Sequence, residues 1–248
     1  MDNRAPLRLT LSPGRLALIA LAVALALAAT NVAVQSFSTI TGDGHVFGLL
    51  QRFDLSGEGN IPAAVSTGLL LLATGLLACA ALAHHAGGSR DRFYWAGLAL
   101  VFLFLSADEY LGIHEAMMMR LQARFDVSGY LLFIWVVPYG IVTATLGLLY
   151  TRFTLRLASP LRWLVVAAGA VYVTGAIGFE VLGAPHFHQG SAQTAAFIAL
   201  STTEELLEMC GIILFSYAIA AHELAPRGGL ELRLPRKGMS GSAGQSTA

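Results

Sequence analysis

Charge is what this sequence has least of. Asp, Glu, Lys and Arg make up 12% of its 248 residues, half the roughly 25% usual for a soluble domain. With 56% hydrophobic residues beside it, that scarcity excludes an ordinary water-facing globule and points to lipid as the solvent. The formal net charge is zero, so nothing in the charge balance calls for nucleic acid or an acidic partner. Cysteine is nearly absent. Cys79 and Cys210 both lie in apolar runs, where a thiol is a small hydrophobe and no disulfide framework is implied. Internal repeats are lacking too, which removes the symmetry argument for an inverted-repeat transporter.

Long apolar runs are what remains, and six of them organise the chain. A span needs about 20 apolar residues, with roughly 17 as the lower end. Leu16–Val34, Ile61–Leu82, Phe93 onward, Gly129–Tyr150, Trp163–Leu182 and a run from between Thr194 and Leu200 to near Ala221 meet that need. The first run exceeds the roughly 7–15 apolar residues of a signal peptide, so it reads as an uncleaved helix. The third helix is expected to continue through an acidic stretch to about Arg124, and Pro138 is expected to kink the fourth. Phe47–Phe53 reads as a short interfacial helix. The fold expected is an all-α, six-helix transmembrane bundle: residues 1–15 an arm, 16–222 the membrane domain, 223–248 a disordered tail.

Orientation follows from the basic residues. With six spans, the arm, the 84–92 and 151–162 loops and the tail carry twelve of the fifteen Lys and Arg residues; Arg52, Arg120 and Arg124 are the other three. Both termini are therefore expected on the cytoplasmic side of a bacterial-type inner (plasma) membrane. Eleven of the fifteen acids fall toward the opposite, periplasmic side.

Three acidic stretches stand in or at the ends of these runs: Ser106-Ala-Asp-Glu-Tyr-Leu-Gly-Ile-His-Glu115, Gly178-Phe-Glu180 and Thr203-Glu-Glu-Leu-Leu-Glu208. Ionisable groups in spans are costly and face a bundle interior or a pathway. On one continuous helix Asp108 and Glu115, seven apart, share a face, as do Glu204 and Glu208, four apart; Glu109, His114 and Glu205 then point elsewhere. The opposing reading of Glu204 and Glu205 is a capping box, since Ser201 and Thr202 each precede a glutamate by three. Glu180 has no local partner.

Like charges on one face call for a cation, a shared proton or a basic partner, and three arginines do not balance eleven acids. Asp108, His114, Glu115, Glu180 and Glu208 are the candidate ligands of a divalent metal ion (Zn, Fe or Ca), with Glu109 and Glu204 as the catalytic acid or base. His186 and His188 offer further imidazoles. Known metal motifs do not fit: Glu205-x-x-Glu208 has an acid where the Glu-x-x-His of di-iron bundles has histidine, and His114-Glu115 is followed by Ala-Met-Met-Met rather than completing His-Glu-x-x-His. Three functions remain open. The first is a metal-dependent membrane enzyme acting on a lipid-like substrate. The second is a non-catalytic scaffold or sensor binding a cation or a protein partner at that mouth. The third is a cation or proton transporter, disfavoured by the apolar inner halves of the spans.

Overall fold

A computed structural model describes residues 8–9, 12–187, 194–227 and 232–233. The fold is all-helical apart from a two-residue antiparallel pairing of Arg8–Leu9 with Leu232–Arg233. Nine α-helices are described: α1 (Pro13–Thr41), α2 (Leu49–Phe53), α3 (Ile61–Ala86), α4 (Arg92–Leu111), α5 (Ile113–Gln122), α6 (Val136–Arg156), α7 (Ser159–Val173), α8 (Glu180–Gly183) and α9 (Ala195–Ala218). A π-helical segment, Thr174–Phe179, joins α7 to α8, and a second, Ile219–Leu224, extends α9.

Among the described residues, five stretches are long and apolar enough to cross a membrane: Pro13–Thr41, Ile61–Ala86, Arg92–Leu111, Ser159–His186 and Ala195–Arg227. The expected fourth span corresponds to α6, 21 residues long, which is not one of the five.

Local chemistry explains the helix ends. Asn60 starts α3, its side chain accepting the Ala63 N–H at 3.1 Å, with Pro62 in the first turn, where an N–H has no helical partner anyway. Thr194 starts α9 in the same way through the Phe197 N–H at 3.1 Å. α9 therefore begins well before Ser201 and Thr202, and the capping-box reading of Glu204 and Glu205 is overturned: both lie more than two turns inside α9. Pro138 likewise falls in the first turn of α6 and kinks nothing.

The expected continuous helix to Arg124 is also corrected. Gly112 adopts φ +59° and ψ +43°, a left-handed conformation that only glycine takes readily. It ends α4 and starts α5 in a new direction.

α9 is the axis of the bundle, packed against α7, α1 and α3, while α3 and α4 form a long antiparallel hairpin. One core gathers Leu77, Trp95, Phe153, Leu161, Ile212 and Phe215; a second packs Ala24, Leu27 and Ala28 of α1 against Leu55, Met209 and Ile213. Two glycines let α7 and α9 touch. A Cβ on Gly175 would lie 2.8 Å from the Glu204 carbonyl oxygen, and one on Gly211 would lie 2.8 Å from the Tyr172 backbone N. Small residues at a membrane helix crossing permit this backbone approach. Here it brings the π segment before Glu180 against the acidic part of α9.

The tail boundary expected at 223 falls inside the second π segment, where Glu223 and Leu224 are buried. The rest of the expected tail, beyond Arg227, lies outside the described residues apart from Leu232–Arg233.

Candidate functional site

A cavity of about 370 Å³ opens where the α4–α5 break, the 54–60 loop, the π segment and the middle of α9 meet. The break at Gly112 turns the chain so that the His114 backbone N–H donates to Asp108 Oδ1 at 2.8 Å. The His114 imidazole Nδ1 lies 3.4 Å from the same oxygen, and Nε2 lies 3.9 Å from Glu58 Oε1. The ring packs on Trp135, with centroids 4.9 Å apart.

Burial pulls the His114 pKa down, but the hydrogen bond and charge of Asp108, then Glu58 and Glu115, outweigh it and push it up to about 9. The imidazole is therefore a cation at neutral pH. Glu58 is raised to about 6, mainly by desolvation, despite the opposing His114 charge.

Glu180 finds a partner 45 residues away: Trp135 Nε1–H donates to its Oε1 at 2.7 Å. The π segment inserts an extra residue per turn just before this position, a feature frequent at functional sites. Glu180 and Glu204 also lie within hydrogen-bonding reach of each other when one of them holds a proton.

Asn31 braces the elements that carry the cavity wall. It is 2% exposed, donates from Nδ2 to Thr202 Oγ1 at 2.8 Å and accepts the Leu55 N–H at 3.3 Å. It thereby ties α1 to α9 and to the loop that carries Asp54 and Glu58. Asp54 itself is held by Ser56, whose N–H and Oγ–H both donate to its Oδ1.

All seven candidate residues line this one cavity: Asp108, Glu109, His114, Glu115, Glu180, Glu204 and Glu208. Glu205 lines it too, so the expectation that Glu109, His114 and Glu205 point elsewhere is corrected. The face-sharing argument for Asp108 and Glu115 assumed one helix, and the Gly112 turn replaces that geometry. Asp54 and Glu58 complete a wall of nine carboxylates and one imidazole with no Lys or Arg. Among the described residues, no group of three or more His, Cys, Asp or Glu side chains is gathered closely enough to hold a metal ion. His186 stands in a short 3₁₀ turn beyond α8, and His188 lies outside the described residues.

Trp135, Tyr139, Tyr172 and Asn31 are site residues that sequence reasoning missed. The buried Tyr139 hydroxyl faces Asp108. Asn31 did carry a signal, as an amide in the otherwise apolar Leu16–Val34 run. Nothing local marks the aromatic residues.

Residues 16–222 match the model of a family described as a domain of unknown function (DUF8692). The chain belongs to that family. The matched region contains every residue of the cavity wall. No curated protein and no solved structure matches the chain.

Proposed function

We propose that the cavity binds a divalent metal ion and that the protein is a multi-pass membrane enzyme acting there on a lipid-like substrate. One observation carries this reading: nine carboxylates face one cavity whose wall holds no Lys or Arg. Carboxylates so confined cannot all ionise unless cations or protons compensate them. A mixed carboxylate and imidazole donor set suits Zn or Fe, and an all-oxygen subset suits Ca.

Asp108, His114, Glu115, Glu180 and Glu208 would hold the ion, their side chains turning inward on binding and His114 giving up its proton. A bound divalent ion supplies a Lewis acid that polarises a substrate oxygen. Glu109 and Glu204 are then the carboxylates left to hold and move a proton. Trp135 fixes the Glu180 carboxylate through its 2.7 Å hydrogen bond. Apolar side chains of Leu105, Phe133, Ile177 and Phe197 share the wall, as a site for an amphiphile requires.

A sixth span over α6, termini on the arginine-rich cytoplasmic face and an inner (plasma) membrane location complete the reading. A second reading is a non-catalytic cation sensor or scaffold that docks a partner at the same acidic mouth, whose oxygen-rich lining suits a hard cation.

Elemental analysis of the purified full chain tests the metal. Stoichiometric Zn, Fe or Ca is expected, lost in Asp108→Asn and in Glu208→Gln. A metal-free wild type under conditions that preserve its fold removes the enzyme reading and the sensor reading together. Metal with no turnover of any amphiphile favours the sensor.

A further inference from the structure

Below the acidic cavity lies a second, apolar one of about 300 Å³. It runs between α4, α6, α7 and α9, and its wall includes Leu98, Phe102, Val165 and Phe215. The two cavities share Leu105, Thr143, Tyr172 and Val173, so they adjoin along these side chains. α6 keeps its backbone away from most of the bundle, approaching α7 alone closely, and this leaves the cleft open.

Gly147 on α6 and Gly169 on α7 line the cleft, and a Cβ at either would meet nothing within 4 Å. Unlike Gly175 and Gly211, where a neighbouring backbone stands close, these two positions leave room that only a large side chain would fill.

We infer that this cleft holds the hydrocarbon chain of an amphiphile whose uncharged or cationic head sits in the acidic cavity. The inference rests on the proposed function and narrows its substrate class. Nine carboxylates outnumber the single imidazole, and no Lys or Arg stands among the described lining residues, which disfavours a carboxylate or phosphate head and admits an amine or a hydroxyl. The chain then contributes affinity by burial, about fourfold per methylene.

The test uses the full chain in phosphatidylcholine nanodiscs and two photoactivatable probes, octadecylamine and octadecanoate, each with a mid-chain diazirine. The amine is expected to label α6 and α7 peptides around Gly147 and Gly169 saturably, with apparent affinity falling about fourfold for each methylene removed from its chain. The carboxylate is expected to label them at least tenfold more weakly. Gly147→Phe and Gly169→Phe fill the groove and should cut amine labelling at least tenfold while bound metal stays at the wild-type level. Gly147→Ala should leave labelling unchanged.

Non-saturable labelling of the wild type, or no dependence on chain length, means bulk lipid fills the groove and overturns the inference without recourse to any variant. Unchanged labelling in both Phe variants overturns it as well. A change of oligomeric state in those variants without loss of labelling makes the groove an interface between copies and overturns it too. Metal retained beside any of these results leaves the proposed function standing. A metal-free wild type that still labels saturably sinks the proposed function and leaves the chain groove intact.

Discussion

The two ends of this bundle treat buried charge in opposite ways. At the end where α3 finishes and α9 runs out, Glu223 is fully matched: Oε1 meets His84 Nε2 at 2.9 Å and accepts from Arg227 Nε at 2.8 Å. His84 and Glu223 are 9% and 8% exposed, and Trp95 packs beside the imidazole. Arg227 Nη2 also lies 3.2 Å from His84 Nε2. One nitrogen cannot donate to Glu223 and accept from Arg227 at once, and the shorter contact to the carboxylate makes it a donor. At the other end nine carboxylates share one cavity with a single imidazole. A protein seeking only stability closes its buried charges, as the first end does. The second end holds a surplus that no Lys or Arg among the described lining residues compensates, which calls for cations or protons.

Removing an acid should therefore have opposite effects at the two ends, and the largest change belongs to the closed one. Glu223→Ala leaves the His84 N–H and the Arg227 guanidinium without their acceptor. Breaking a buried pair from one side costs about 3–5 kcal/mol, and the 46% exposure of the Arg227 side chain puts this case at about 3 kcal/mol, the lower edge of that range. Thermal unfolding in detergent should show the drop. A variant as stable as the wild type would mean the triad is incidental.

Five of the six expected spans were legible because apolar run length reports directly on helices long enough to cross a membrane. The acidic stretches marked the residues that line the cavity. What sequence alone hid were geometric choices made by single residues. Gly112 stands alone between Leu111 and Ile113, with no proline or second turn former beside it, so its left-handed turn was invisible. With the helix assumed continuous, phase arguments grouped Asp108 with Glu115 and sent Glu109 and His114 away. Ser201, Thr202 and Glu204 imitate a capping box, while the real cap, Thr194, has no acid three residues on to advertise it. The closed triad joins residues 139 apart and the Trp135–Glu180 bond residues 45 apart. Non-local pairs of this kind leave no trace in periodicity.

A smaller effect of reversed sign is expected at the open end. Glu205→Gln keeps the shape of the side chain and removes one like charge from the crowd of carboxylates. In chelator-treated protein this should stabilise by about 1–2 kcal/mol, because each carboxylate there must either take a proton or bear its neighbours' repulsion. The same variant should bind the proposed metal more weakly, the usual exchange between stability and function at a strained site. Paired melting curves with and without chelator check both halves. Destabilisation in the metal-free state would mean that Glu205 is held by partners as good as those of Glu223, and the contrast between the two ends would collapse.

The smallest effect is a pH dependence confined to the open end, and it separates protons from cations as the compensating charge. His114 has a folded pKa of about 9 against 6.5 for the free group. A raised pKa of this kind contributes stability fully present below pH 6.5 and lost as the pH rises through 9. Solvent reaches the ring, whose side chain is 23% exposed, so screening reduces the change to about 1 kcal/mol. Glu58, raised from 4.5 to about 6, acts in the same direction in a lower window: its ionisation is harder in the folded state, so stability falls between pH 4.5 and 6. Metal-free protein should thus melt lower in two steps as pH rises, the upper step missing in His114→Gln and the lower in Glu58→Gln. A bound divalent ion should abolish the upper step, because a coordinated imidazole is already deprotonated. If that step persists unchanged at saturating metal, His114 is no ligand, and its role reduces to a fixed cation that Asp108 and Glu58 hold over the cavity.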